Sequence, residues 1–194
     1  MSVILATRNE HKLREFRRLL AVTELEALPD TVELPPETGA TFVENALGKA
    51  RAAAAQTGRA AIADDSGIAA DALGGRPGVR SARYAGEGAS DEENLALLIE
   101  QAPPGSGLHY VCALVYVDPA SGQEQVFERH CDGVMADAPS GERGFGYDPV
   151  FIPLDEGKGR TMAQLSDDEK DAISHRGQAL RAFEEWLTTT ARSQ

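Results

Sequence analysis

Basic residues are in short supply in this chain: 19 lysines and arginines stand against 31 aspartates and glutamates, for a formal net charge of −12. That balance excludes the broad basic footprint that holds duplex nucleic acid non-specifically, so nucleic acid is not an expected partner. Long hydrophobic runs are missing too. No apolar stretch approaches the ~20 residues of a membrane-spanning helix, and no membrane partner is expected. Before Arg8, Glu10 and Lys12 only Val3 to Ala6 is apolar, which is too short for a signal-peptide core, so export is not expected. Cysteine is scarce: Cys112 and Cys131 fall in separate strand-like segments and read as buried thiols of a reducing, cytoplasmic compartment rather than as a disulfide.

Several catalytic motifs are absent as well. There is no Gly-x-x-x-x-Gly-Lys phosphate loop and no Gly-x-Ser-x-Gly elbow, and His109 and His130 do not form metal-ligand spacing with the cysteines. Repeats, low-complexity tracts and interdomain linkers are lacking, so residues 1–194 are expected to form a single domain, with one core or one core divided into two lobes. The composition, 42% hydrophobic and 26% charged, is that of an ordinary globular protein.

Alternation of strand and helix patterns runs along the chain. Val3-Ile4-Leu5-Ala6-Thr7 reads as a buried strand, followed by Leu13, Phe16, Leu19 and Leu20 at helical spacing. Thr41-Phe42-Val43-Glu44 is a capping-box pattern that opens an alanine-rich helix from Ala46 to Ala55. A short strand from Ala60 to Ala63 is predicted to end in Asp64-Asp65-Ser66-Gly67, and residues 67–89, rich in glycine and alanine, read mostly as a loop able to close over a substrate. Ser90-Asp91-Glu92-Glu93 caps a helix carrying Leu95, Leu98 and Ile99. Leu108 to Val117 and Glu124 to Cys131 read as a hairpin, which suggests a mixed sheet, and Val150-Phe151-Ile152 as a further strand. The tail is helical: Ser166 with Glu169 caps one piece and Ser174 the next, whose apolar stripe is Leu180, Phe183 and Leu187.

Against this background a few residues stand out. Thr7, Asn9 and Lys12 place backbone N–H groups, an amide and a cation at a helix N-terminus, where a phosphate is favoured; Asn9 as a plain cap and Lys12 as a solvated cation is the alternative. Two adjacent carboxylates after an apolar strand, Asp64 and Asp65, are costly unless a cation or donors compensate. Such hard oxygen ligands suit Mg²⁺. Strand alternation sends the two side chains to opposite faces, so one Asp is expected to enter the metal site and the other to orient a lysine or a supporting group; an Asx-type turn is the alternative. Glu37 is either another metal oxygen or a solvated loop acid, and Lys49 either a site cation or a surface lysine, while Glu44 is explained by the capping box. Phe145-Gly146-Tyr147-Asp148-Pro149 offers two aromatics and an acid in a turn where a base can stack, or a loop that closes onto the core. Lys170, His175 and Arg176 converge only if the chain turns, and otherwise are charges on helix surfaces.

Taken in order, Ala6-Thr7-Arg8-Asn9 with Lys12, Glu37 to Phe42 with Glu44-Asn45-Ala46, Ala63 to Gly67, Ser81-Ala82-Arg83-Tyr84, Gly144 to Pro149 and Ser174-His175-Arg176-Gly177 resemble the inosine triphosphate pyrophosphatase family in its bacterial dITP/XTP branch, from residue 3 to about residue 183. The resemblance implies a two-lobed α/β fold, with a long twisted mixed sheet flanked by helices and an active site in the cleft between the lobes. It also implies a cytoplasmic homodimer, Mg²⁺ dependence, and cleavage of non-standard purine nucleoside triphosphates to the monophosphate and pyrophosphate. On matching positions, Thr7, Arg8, Asn9, Glu10, His11 and Lys12 contact phosphate, and Asp65 is metal ligand and proton acceptor. Glu37 shares the metal, with Asp64 and Lys49 in support. Ser66 touches substrate, Phe145, Gly146, Tyr147 and Asp148 surround the nucleoside, and Lys170, His175 and Arg176 complete the site, the last two as donors to a 6-oxo purine. Two departures are visible: Arg8 replaces the glycine often found before Asn9, and Pro36-Glu37 replaces an acidic pair before Thr38. A pyrophosphatase for modified pyrimidine triphosphates and a nucleotide sensor without turnover are the alternative functions.

Overall fold

The computed structural model describes residues 2–21 and 23–191. Six strands, β1 (Ser2–Leu5), β2 (Glu24–Ala27), β3 (Ala61–Ala70), β4 (Gly107–Asp118), β5 (Gln123–Met135) and β6 (Phe151–Pro153), form one sheet in the order β2-β1-β3-β4-β5-β6. β1 is parallel to β2 and β3, whereas β5 and β6 are antiparallel, so the sheet is mixed and the fold α/β. The helices are α1 (Glu10–Leu19), α2 (Phe42–Thr57), α3 (Asp91–Gln101), α4 (Asp167–Ile173) and α5 (His175–Ala191). Among the described residues no helix is long and apolar enough to cross a membrane.

The chain divides into two compact units. The first comprises Met1–Asp65, Cys112–Arg129 and Arg176–Gln194, and the second Ser66–Val111 and His130–His175. In the first unit the period of two along each strand distributes residues between two cores. Val3, Leu5, Ile62, Cys112, Leu114 and Tyr116 pack with Phe16, Leu180 and Phe183 of α1 and α5. Their neighbours Ile4, Ala61, Ala63, Ala113 and Val115 pack with Ala46, Ala50, Ala53 and Ala54 of α2. Strands covered on both faces read as continuous apolar runs, which is why β1 and β4 show no polar alternation. Small alanines let α2 lie close to its sheet face, and both ends of that helix are well formed: a Thr41–Glu44 capping box opens it and left-handed Gly58 closes it. The second unit has its own core, including Ile68, Leu98, Leu108, Tyr110, Met135, Phe151 and Met162. Capping boxes at Ser90–Glu93 and Ser166–Glu169 start α3 and α4.

Where the structure departs from expectation the reasons are local. β3 does not stop at Ala63 but continues to Ala70, carrying Asp64 and Asp65 in its interior. Neither aspartate initiates an Asx turn, because each carboxylate finds side-chain partners that let an extended backbone continue. The supposed loop 67–89 begins as strand and then folds into 3-10 helices at Asp71–Leu73 and Gly78–Arg83. Ser81 ties this segment down: its hydroxyl accepts from the Ile68 N–H at 2.8 Å and donates to the Gly78 carbonyl at 2.6 Å. β2, a four-residue strand with alternating glutamates, gave no sequence signal. Ser174 closes α4 as its C-cap residue and stands immediately before α5, at the position expected of a cap for that helix. Cys112 and Cys131 are buried free thiols, as anticipated.

Candidate active site

The first unit assembles a cluster of charges around the middle of β3. Asp64 is fully buried, at 0% exposure. Its Oδ2 lies 2.9 Å from Lys12 Nζ and accepts a 3.3 Å bond from Arg176, whose guanidinium also pairs with buried Glu15. Burial alone would raise the Asp64 carboxyl, but Lys12, Arg176 and Lys49 together outweigh it and hold the group well below the usual carboxylate range. Asp64 is therefore a fixed anion. The loop that delivers Lys12 is built by its own residues: Asn9 caps α1 by accepting from the His11 and Lys12 N–H groups at 2.9 and 3.1 Å, and Thr7 Oγ1 accepts from Asn9 N at 3.2 Å. Glu10 and His11 are exposed in the first turn of α1, where His11 accepts from Arg14 at 2.8 Å. Arg8 points away from this arrangement. Its guanidinium donates to the carbonyls of Leu28, Pro29 and Val32 at 3.0, 2.8 and 3.1 Å.

Asp65 meets a different environment. Its Oδ2 accepts a 2.9 Å bond from Asn45 Nδ2, and Asn45 is itself oriented by accepting from Gly39 N at 2.8 Å. Burial and the like charge of Glu37 raise the Asp65 carboxyl above its ordinary value, while Lys49, Asn45 and Lys12 oppose them. Lys49, far from being a surface lysine, is buried in α2; its ammonium pairs with Glu37 and donates to the Asp64 carbonyl at 2.8 Å. Desolvation works against its charge, but Asp64, Glu37 and Asp65 prevail and keep its pKa raised. Glu44 accepts from the Ala40 and Thr41 N–H groups as a capping residue.

The second unit carries its own cluster. Phe145, Gly146, Tyr147 and Asp148 form a tight turn, with Asp148 Oδ2 accepting from Phe145 N at 3.0 Å. Gly144 adopts φ +75°, and a Cβ there would lie 2.0 Å from Asp148 Oδ2, so glycine is required both for the backbone and for the carboxylate. Lys170 Nζ donates to the same oxygen at 2.7 Å and sits 5.1 Å from the centroid of the Phe145 ring. Tyr110 donates to Asp148 Oδ1 at 3.1 Å, and its ring stacks on His175 with centroids 4.6 Å apart. Tyr147 turns inward and donates to the Ser81 carbonyl at 2.7 Å. Ser66, the first residue of this unit, is half-buried on β3. Lys170, His175 and Arg176 are all buried, so the reading as helix-surface charges fails. The structure places the first two beside Asp148 and Tyr110, and the third with Asp64 and Glu15.

Mg²⁺ fits the donor set of the first unit. Among the described residues no group of three or more His, Cys, Asp or Glu side chains is arranged to hold a metal. Glu37 and Asp65 are two hard carboxylates close enough for one to raise the pKa of the other. Mg²⁺ is commonly held by one or two carboxylates, with waters and phosphate oxygens completing its shell. Glu15 and Tyr110 are partners that sequence reading passes over, and Asn45 enters it only within the Glu44-Asn45-Ala46 motif, with no role. The signal that could have found Glu15 is its place as an acid on the same helical face as Lys12, next to core residue Phe16.

The profile of the Ham1 family matches residues 3–186. A dITP/XTP pyrophosphatase of Frankia alni is 54% identical over 194 residues, spanning 93% of this chain and 94% of the relative. One from Yersinia pseudotuberculosis is 50% identical over 188 residues, spanning 92% and 94%. Among solved structures, a HAM1 protein from Coxiella burnetii superposes with a TM-score of 0.85 at 38% identity, over 97% of this chain and 99% of that one. A nucleoside-triphosphatase / dITP/XTP pyrophosphatase from Mycobacterium abscessus gives a TM-score of 0.73 at 46% identity, over 94% and 98%.

Proposed function

We propose, since this chain belongs to the Ham1 family, that it hydrolyses dITP, ITP and XTP to the nucleoside monophosphate and pyrophosphate, removing non-standard purines from the nucleotide pool. The observation that carries this reading is the contrast within Asp64-Asp65. One carboxylate is locked as an anion that fixes Lys12 and Arg176, and the other is oriented by Asn45 with its proton affinity raised. A carboxylate of raised pKa beside fixed cations suits a general base in phosphoryl chemistry.

In this reading Asp65 takes a proton from water as the water oxygen bonds to the α-phosphorus, and the bond from that phosphorus to the bridging oxygen breaks. Pyrophosphate departs with the electron pair. Lys12 and Lys49, already set in place by Asp64 and Glu37, orient the triphosphate. Asp65 and Glu37 would hold Mg²⁺, which when bound would add positive charge at the phosphate oxygens. The loop of residues 7–12, capped by Asn9 at the start of α1, receives phosphate there, with Lys12 as its cation. Phe145 and its turn, with Ser66, Tyr147, Asp148 and Lys170, serve the nucleoside, and His175 and Arg176 donate to the 6-oxo group. The pairs with Glu15 and Asp64 fix the Arg176 guanidinium before substrate arrives. A cytoplasmic homodimer completes the reading, supported by the family resemblance, and sedimentation equilibrium tests the dimer.

The deciding experiment assays a panel of triphosphates with Mg²⁺ and with chelator, distinguishing pyrophosphate from orthophosphate. Pyrophosphate release from dITP and XTP, lost with chelator, is expected. Asp65→Asn is expected to reduce turnover by at least about a thousandfold with the fold retained. Orthophosphate release refutes attack at the α-phosphorus.

A further inference from the structure

Tyr110, on β4, joins separate parts of the second unit's cluster through its ring and its hydroxyl. It is buried at 7% exposure, and a phenylalanine would fill the same place between Phe151, at a centroid distance of 4.5 Å, and His175, at 4.6 Å with the ring planes 7° apart. The hydroxyl is not needed for that packing. It donates instead to Asp148 Oδ1 at 3.1 Å, while Asp148 Oδ2 receives Lys170 Nζ at 2.7 Å and Phe145 N at 3.0 Å. Asp148 is thus a buried carboxylate with both oxygens engaged. It holds the turn that presents Phe145 and the ammonium that lies over the Phe145 ring. A buried carboxylate left short of one donor has a broader choice of orientations, and everything hung on it shares that freedom.

We propose that Tyr110 is a positioning residue for base recognition: its hydroxyl orients Asp148, and through it Phe145 and Lys170, while its ring fixes the plane of His175. The inference rests on the reading that this cluster receives the purine. It assigns Tyr110 no contact with the reacting phosphorus, so its effect falls on substrate affinity rather than on the chemical step.

The test compares wild type, Tyr110→Phe and Tyr110→Leu in steady-state turnover of dITP and XTP with Mg²⁺ at 25 °C, reading pyrophosphate, alongside thermal unfolding. Tyr110→Phe keeps both ring contacts and loses only the donor. It is expected to raise KM roughly fivefold with kcat within about twofold of wild type. Tyr110→Leu also removes the stacking on His175 and is expected to raise KM further, again with kcat the less affected. Should the leucine variant fail to fold, the isosteric phenylalanine variant decides alone. A phenylalanine variant with wild-type KM, or one that loses kcat while KM stays constant, overturns the proposal and leaves the enzyme reading intact. Wild-type protein that releases no pyrophosphate from either substrate removes both.

Discussion

Replacing Asp64 by asparagine is expected to cost much of the stability of the fold, whereas the same change at Asp65 is not. Asp64 is completely buried and faces Lys12 at 2.9 Å and Arg176 at 3.3 Å. Asparagine preserves its volume, so no cavity term enters; what is lost is the counter-charge to two cations, one of them 3% exposed. Breaking a buried ion pair by neutralising one partner costs about 3–5 kcal/mol, and Glu15, which still pairs with Arg176, favours the lower end of that range. For a chain of this size the corresponding fall in Tm is about 6–20 °C. Asp65 has the opposite sign. Its folded pKa is raised by burial and by Glu37, so the fold disfavours its charge at neutral pH, and a neutral amide able to accept from Asn45 removes that penalty. The measurement is urea unfolding at pH 7 with divalent cations chelated, followed by far-UV circular dichroism and by the fluorescence of Trp186. That residue is the only tryptophan, and it packs 5.2 Å from Tyr116 and 5.7 Å from Phe127 in the same unit as Asp64. An Asp64→Asn protein within about 1 kcal/mol of wild type refutes the reasoning, as does an Asp65→Asn protein destabilised to the same extent as Asp64→Asn.

Arg8→Ala is expected to lower stability by about 1–2 kcal/mol through three lost bonds to backbone carbonyls, with the KM for dITP changed by no more than about twofold. A tenfold rise in KM at unchanged stability would instead mean that the guanidinium serves phosphate. His109 bridges Asp132 at 2.8 Å and Asp71 at 3.1 Å; its bond to Asp132 raises its pKa above the ordinary value of 6.5 against a smaller effect of burial, with Asp71 adding to the rise. A raised histidine stabilises the fold fully below its unfolded pKa and loses that contribution as pH climbs through the folded value. Melting curves between about pH 6 and 8 are therefore expected to show Tm falling with pH in wild type and a flatter profile in His109→Gln. Equal slopes in the two proteins would count against the bridge.

The elements legible from sequence were those whose signals are local. Thr41 with Glu44, Ser90 with Glu93 and Ser166 with Glu169 each announce a helix through a box of reciprocal bonds that the structure contains. β1 and β4 announce themselves by apolar runs. β2 did not, because a four-residue edge strand draws its identity from pairing with β1 rather than from its own residues. The extent of β3 was misjudged for a related reason: an Asp-Asp pair reads as a strand end until it is known that Lys12 and Arg176 neutralise the first carboxylate and Asn45 receives the second. Those partners are 52, 112 and 20 residues distant, and no window of local sequence contains them. Lys49, Lys170 and Arg176 were likewise ambiguous, because whether a cation is solvated or buried depends on which acid the fold delivers to it.

The charge inventory of the first unit bears on its chemistry. Among the described residues, four carboxylates around the middle of β3, those of Glu15, Glu37, Asp64 and Asp65, meet three cations, Lys12, Lys49 and Arg176. The cations are already largely spent on holding the carboxylates: Asp64 takes two of them, Glu37 engages the third and Glu15 shares Arg176. A polyanionic triphosphate entering such a cluster finds cations well placed but no net positive charge, so side chains alone orient it without neutralising it. The divalent cation proposed for Glu37 and Asp65 would change that sum by adding positive charge where the side chains have none to spare. The same inventory explains why Lys49 belongs with the site rather than with the helix that carries it. Asp64, Glu37 and Asp65 keep it charged despite its burial. Its loss would remove one cation from both Glu37 and Asp65 and strengthen the repulsion between them.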